Sequence, residues 1–154
     1  GPPSVPGAVA LHLLARAGRT HGLRVVEVTG RQGADELAAL GRALVADGPT
    51  GLVVVGSGSG RHGPDAPLAD DPRAVDHDAR VLADLVDAGR DARARLALDD
   101  PALAEELAVR GWGPWQVLLG AVGAAEVRGR LLATSTELGA QHSVVVWEPV
   151  PDAG

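Results

Sequence analysis

The chain has 154 residues, of which 45% are hydrophobic, and a formal net charge of −6 at pH 7. That length suits one domain with a buried core, and the negative charge argues against nonspecific nucleic-acid binding, which needs a basic surface. No apolar run approaches the roughly 18 residues of a membrane-spanning helix, and no secretory signal is visible, so a cytoplasmic protein is expected. The absence of cysteine excludes disulfides and thiolate metal sites.

The amino-acid usage is strongly biased. Phe, Tyr, Met, Ile, Lys and Asn are all missing, and every one of the 14 basic residues is Arg. The missing types are largely those with AT-rich codons, so the bias indicates a high-GC bacterial genome. Gly1 and Pro2 match the remnant of a cleaved tag, which predicts a domain over residues 3–148 followed by a flexible tail over residues 149–154.

Helices and strands are predicted to alternate along the first part of the chain. Ser4 and Pro6 begin a helix that ends near Gly18. The β-branched residues 23–28 predict a strand, residues 33–47 carry leucines at helical spacing, and residues 51–55 form an apolar run typical of a buried strand. A loop over residues 56–72 follows.

The second half is predicted to be mostly helical. Helices are expected over residues 74–87, 91–96, 99–110 and 112–125, and strands over residues 127–134 and 143–147, joined across Gly139. The order predicts an α/β fold, with a mixed sheet flanked by helices and an antiparallel pair at its C-terminal end.

The loop "GSGSGRHGPDAP", residues 56–67, is the first candidate site. A buried strand that ends in a glycine-rich turn is where α/β proteins place ligands, with Ser57 and Ser59 offering hydroxyls. The loop lacks the Gly-Lys-Ser/Thr of a phosphate-binding loop and the helix that follows a hydrolase nucleophile. A plain connection between two elements is the alternative interpretation.

Histidine is the usual acid/base near neutral pH, and only His62 lies where catalysis is expected. His77 is flanked by Asp76 and Asp78, a pattern typical of a helix surface, although such a histidine can also bind metal. The remaining histidines are interpreted as residues without a catalytic role. His12 is expected to be structural, His21 lies in a turn, and His142 precedes the last strand.

Two further groups of residues are candidate sites. Five aspartates surround the loop and the following helix, and their spacing fits solvated carboxylates and helix caps better than a divalent-metal site: Asp65, Asp70, Asp71, Asp76 and Asp78. In the stretch from Trp112 to Trp115, core packing is expected for Trp115, whereas Trp112, beside two glycines, is a candidate for lining a pocket.

Three stretches resemble the C-terminal half of the class III extradiol ring-cleavage dioxygenases, in the LigB-like branch of catalytic B subunits. They are residues 51–67, "DPRAVDHDARVLADL" and "LALDDPALAEELAVRGWGPWQVLLGA". The resemblance implies a LigB-like fold, a small aromatic substrate and a non-haem Fe(II) held by two His and one Glu. It places His62 at the acid/base position, with Ser57, Ser59, Arg61 and Trp112 as candidate substrate-binding residues.

The chain departs from the family in its metal ligands. The two ligand histidines belong to an N-terminal part absent here, and Gly111 stands where the Glu ligand is expected, so no iron ligand is identifiable. Metal would have to come from His77, His142 and Glu137 or from another chain.

Half of an α/β sheet would expose an unpaired edge, which predicts a homo-oligomer or a partner subunit. The alternative functions are a non-catalytic binding or assembly domain derived from that fold, and a non-redox enzyme that reuses His62 and Ser59.

Overall fold

The computed structural model describes residues 2–135 and 140–151. Helices come first and a two-stranded antiparallel sheet follows: α1 (Val5–Arg16), α2 (Ala34–Leu44), α3 (Arg73–Asp87), α4 (Arg90–Ala97), α5 (Pro101–Glu106), α6 (Trp112–Val122), β1 (Val127–Ser135) and β2 (His142–Pro149). Helix and sheet together agree with the coarse α/β class. Among these residues, no helix has the length and apolarity needed to cross a bilayer.

The helices begin where the capping pattern predicts. The Ser4 hydroxyl accepts a hydrogen bond from the Gly7 N–H at 3.3 Å, and Glu27 in turn accepts from the Ser4 N–H at 2.7 Å. At α5, the Asp100 carboxylate accepts from the Ala102 N–H at 2.9 Å, and Pro101 occupies the first helical position. Each cap satisfies an N–H that the helix itself leaves without a partner. The predicted helices are thus confirmed, with small differences at their ends.

The C-terminal hairpin is also confirmed. β1 and β2 pair in antiparallel register from Val127 with Pro149 to Ser135 with His142, with an irregularity between Leu131 and Ala133. The Trp147 indole donates to the carbonyl of Leu85 and so fastens the hairpin to α3. The predicted turn across Gly139 and the end of the predicted tail, residues 152–154, lie outside the described residues.

The two strands predicted in the first half of the chain are wrong. Residues 23–28 and 51–55 have no strand structure, and their backbone groups make no backbone hydrogen bond within residues 2–135 and 140–151. A strand exists only beside a partner, because its N–H and C=O groups bond across to a neighbour. In the described part of the chain the only ladder joins β1 to β2, so the predicted mixed sheet is replaced by a hairpin.

The core lies where α2 and α6 cross, with α5 and the segment after it on one side. The two helix backbones approach so closely that a Cβ atom on Gly120 would collide with the carbonyl of Ala38. Close approach of this kind buries both helix faces and leaves no room for a larger residue. The buried apolar residues of this core are Leu37, Ala74, Ala104, Leu107, Val109, Trp112 and Val117.

Candidate functional site

The glycine-rich loop is held in close contact with the rest of the protein. The Gly111 N–H donates to the carbonyl of Ser57 at 2.8 Å, and a Cβ atom on Gly58 would lie 2.5 Å from an oxygen of Asp78. Glycine is needed at Gly58 because the loop backbone runs directly against this buried carboxylate. The loop therefore packs on α3 and on the residue that precedes α6.

Hydrogen bonds within the loop fix its shape beyond these contacts. The Leu68 N–H donates to the carbonyl of Gly60 at 3.1 Å, and the Asp71 N–H donates to the carbonyl of Arg61 at 3.1 Å. The side chain of Asp70 accepts from the Gly63 N–H at 2.7 Å. His62 thus lies in a loop whose backbone is bonded on both sides of it.

His62 forms a short hydrogen bond with Asp78 from α3. The distance between His62 Nε2 and Asp78 Oδ2 is 2.6 Å, and the two side chains are 16% and 3% exposed. Asp78 Oδ2 also accepts a second hydrogen bond, from the Ser59 N–H at 2.8 Å. Because an ionised carboxylate only accepts hydrogen bonds, neutral His62 carries its proton on Nε2.

The other ring nitrogen of His62, Nδ1, is reached by solvent. Within the described residues Nδ1 has no hydrogen-bond partner, and no buried side-chain nitrogen or oxygen in that part of the chain lacks one. Nδ1 is therefore in contact with solvent and available to a ligand. A histidine whose inner nitrogen is held by a carboxylate can exchange a proton at its outer nitrogen.

The network continues from Asp78 into the protein. His77 Nδ1 lies 3.2 Å from Asp78 Oδ1, and His77 Nε2 lies 3.1 Å from Asp99 Oδ2. The His77 side chain is only 1% exposed, and Asp99 lies in the turn between α4 and α5. Both nitrogens of His77 face carboxylates, and the two can donate at the same time only if the ring is a doubly protonated imidazolium.

The charge states of the two buried residues follow from these contacts. The hydrogen bond to Asp78, followed by that to Asp99, raises the pKa of His77 to about 9, although burial opposes the charge. Burial alone would raise the pKa of Asp78, but the hydrogen bonds from His77, His62 and the Ser59 N–H hold it below its ordinary value. At neutral pH the network is an ionised Asp78, a cationic His77 and Asp99.

Two of the predicted substrate-binding residues form structural contacts in the loop. Ser59 is buried, donating from its hydroxyl to the carbonyl of Leu107 at 2.6 Å and accepting from the Arg61 N–H at 3.1 Å. The Arg61 guanidinium donates to the carbonyl of Glu106 at 2.8 Å and to that of Ala69 at 3.0 Å. These bonds hold the loop against α5.

The other two predicted substrate-binding residues, Ser57 and Trp112, lie in different environments. Ser57 is exposed on the loop, whereas Trp112 is a core residue, 5% exposed, whose indole donates to the carbonyl of Asp99 at 3.0 Å. The pattern of Trp112 beside two glycines thus belongs to close packing. Its contact with Asp99 places the tryptophan next to the inner end of the histidine network.

The remaining candidates are spread over the surface. His12 and His142 are exposed, and His21 is exposed with its Nδ1 2.8 Å from the Thr20 hydroxyl. Asp65 and Asp76 are exposed. The side-chain hydrogen bond from Arg73 lowers the pKa of Asp71 to about 2, as in an ordinary capping ion pair.

The described residues do not fit the iron site that the resemblance implies. A Cβ atom on Gly111, the position of the family's Glu, would collide with the ring of Trp115. His77 has both ring nitrogens bonded to carboxylates. No group of three or more metal-ligating side chains lies together in residues 2–135 and 140–151, and Glu137 lies outside them.

Sequence reasoning missed Asp78 and Asp99 as parts of the site. One signal for Asp78 was present, since it lies four residues after Ala74 and three before Val81, on the apolar stripe of α3. A carboxylate on a buried stripe is rare unless it is paired. For Asp99 no such signal exists, because the Asp-Asp-Pro pattern predicts only a helix cap.

No family model, curated protein or solved structure matches this chain.

Stability is expected to fall as the pH rises from about 6.5 to about 9, since the folded state holds the His77 proton more tightly than the unfolded chain. The stabilisation is complete below the unfolded pKa and is lost as the pH passes the folded one. At about 1.4 kcal/mol per pKa unit, the loss is on the order of 3 kcal/mol. Urea unfolding at several pH values measures it. The His77→Gln variant should lack this slope, while His12→Gln keeps it; equal slopes in all three proteins would contradict the assignment.

Proposed function

We propose that this chain is an extradiol-dioxygenase-like domain in which His62 exchanges a proton with the hydroxyl of a small aromatic substrate such as a catechol. The observation that carries the proposal is the 2.6 Å contact of His62 Nε2 with Asp78 Oδ2, which leaves Nδ1 without a hydrogen-bond partner among the described residues. Additional support is the resemblance of the loop to the family's acid/base segment. A LigB-like relationship of the fold belongs to the same proposal.

The proton step requires only residues of this chain. The substrate O–H bond breaks as its proton moves to His62 Nδ1, leaving a phenolate beside an imidazolium. The Asp78 carboxylate stabilises that imidazolium through the Nε2–H bond and keeps the ring from turning. Because the described residues do not fit an iron site, no step is assigned to a metal.

Replacement of His62 by alanine is expected to weaken catechol binding by roughly 10- to 100-fold at pH 7.5, since a charge-assisted hydrogen bond contributes about 1.5–3 kcal/mol. Calorimetry measures the affinity, and the ultraviolet spectrum of bound catechol reports whether the phenolate forms. The matched control is His12→Ala, which removes an exposed histidine on α1 and should leave both readouts unchanged. Equal affinity for the His62→Ala variant and the unaltered protein would refute the role.

A second function, assembly with another copy of the chain, is favoured by a different observation. The segments at residues 23–28 and 51–55 expose apolar side chains without backbone partners, with Val25 46% exposed and Val53 48% exposed. Extended apolar segments with open N–H and C=O groups pair readily with a second chain. We propose a homo-oligomer in which these segments are covered.

Sedimentation at micromolar concentration is expected to show a species larger than the monomer. The double variant Val25→Lys and Val53→Lys should sediment as a monomer, because lysine blocks edge pairing. Val75→Lys is the control: Val75 is 55% exposed on α3 and belongs to neither segment, so its variant should keep the assembly of the original protein. A monomeric original protein would argue against assembly.

A further inference from the structure

The two histidines of the network share one carboxylate. Asp78 Oδ1 lies 3.2 Å from His77 Nδ1, and Asp78 Oδ2 lies 2.6 Å from His62 Nε2. His77 has a second acceptor in Asp99, whereas within the described residues His62 has only Asp78. The arrangement gives each histidine a carboxylate oxygen of its own, and Asp99 supplies the additional negative charge.

We propose that Asp99 is a positioning residue for His62: by keeping His77 cationic, it keeps one oxygen of Asp78 occupied and the other reserved for His62. The proposal rests on the proposed proton-transfer role of His62. Asp99 does not touch His62 and acts through His77 and Asp78.

The charge balance explains why this arrangement favours proton uptake. With His77 cationic and both aspartates ionised, the buried group carries one net negative charge. When His62 takes a proton from a substrate, the group becomes neutral, which is the state that a buried environment favours. Without the charge of Asp99, His77 and His62 would compete for the single charge of Asp78.

Other charged groups lie around Asp99 and must stay constant in any test. Asp99 lines a groove of about 490 Å³ together with Arg80 and Asp84 from α3 and Arg95 from α4. Arg95 is bonded to Asp84 at 2.7 Å, so this pair largely cancels its own field. Asp100 also borders the groove and caps α5.

The test is the Asp99→Asn variant, with Asp100→Asn as its matched control. Asparagine keeps a hydrogen-bonding side chain next to His77 but removes the charge, and at Asp100 it remains a good helix cap. Nitrogen-15 NMR of the histidine rings reads protonation directly. In the original protein and the control, His77 should show two protonated nitrogens at pH 8, and neutral His62 should carry its proton on Nε2.

In Asp99→Asn we expect His77 to lose one proton at pH 8 and the His62 nitrogen signals to shift at the same pH at which His77 titrates. By the same charge balance, catechol affinity at pH 8 should stay close to that of the Asp100→Asn control, because ionised Asp78 and neutral His77 again leave one negative charge. At pH 6 it should fall about threefold to tenfold below the control, because the charged His77 then competes with His62 for Asp78. A doubly protonated His77 at pH 8 in this variant, or His62 signals that do not follow His77, would overturn the proposal.

The proposed function and this inference fail in different ways. If catechol does not bind the original protein, the acid/base role of His62 fails, while the NMR coupling of the two histidines is still measured. If catechol binds through His62 but the Asp99→Asn variant behaves as the Asp100→Asn control, only the positioning role is lost.

Discussion

Replacement of Asp78 by alanine should lower the free energy of unfolding by about 3–5 kcal/mol at pH 7, because it removes one of the two carboxylates that pair with the buried charge of His77. Three hydrogen bonds end on this carboxylate, from His62, His77 and the Ser59 N–H. The imidazolium of His77 would keep only Asp99, and the Ser59 N–H would lose its acceptor. Urea unfolding monitored by circular dichroism gives the difference.

The control for this prediction is Asp76→Ala, two residues earlier on the same helix. Asp76 is exposed and belongs to the first turn of α3, so its loss should cost no more than about 1 kcal/mol. The Asp78→Asn variant should fall between the two, since asparagine still accepts hydrogen bonds but carries no charge. If Asp78→Ala were as stable as Asp76→Ala, the buried network would contribute nothing to folding.

Replacement of Gly120 by alanine is expected to destabilise the protein by about 3 kcal/mol, near the upper end of the usual cost of overpacking. The new methyl group would collide with the backbone of Ala38, and a helix backbone cannot turn aside as a flexible side chain can. The two helices must therefore separate along the core that they form. Thermal unfolding and urea unfolding both measure the effect.

Gly113→Ala is the matched control on the same helix. A Cβ atom there would lie 3.4 Å from a methyl group of Val28, an ordinary contact. Alanine is a better helix former than glycine by up to about 1 kcal/mol, so this variant should be neutral or more stable. Equal stability losses at Gly113 and Gly120 would show that the close crossing of α2 and α6 does not decide the result.

The buried carboxylate of Asp78 links the candidate site to the stability of the fold. Asp78 orients His62 and at the same time ties the glycine-rich loop to α3 through the Ser59 N–H. Stability and the proposed proton transfer therefore depend on one carboxylate, and binding measurements on Asp78 variants need a parallel measurement of folding. Asp99 offers a cleaner separation, because it reaches His62 only through other residues.

Local sequence patterns determined the helices, the hairpin and the choice of His62. Caps such as Ser4 and Asp100 act on the next few residues, and the spacing of apolar residues records which side of a helix is buried. The glycine-rich loop after an apolar run was also visible as a candidate site. Each of these signals arises from residues close together in the chain, so the sequence by itself was sufficient to predict the helices and the hairpin and to single out His62 as a candidate.

Only the tertiary structure decided what these elements contact. Residues 23–28 and 51–55 have the composition of strands, but a strand needs a neighbour, and local composition does not say whether one is present. In the same way, Asp78 meets His62 across 16 positions and Asp99 meets His77 across 22. Such pairings depend on how α3, the loop and the turn before α5 pack together, and this packing is a property of the whole chain.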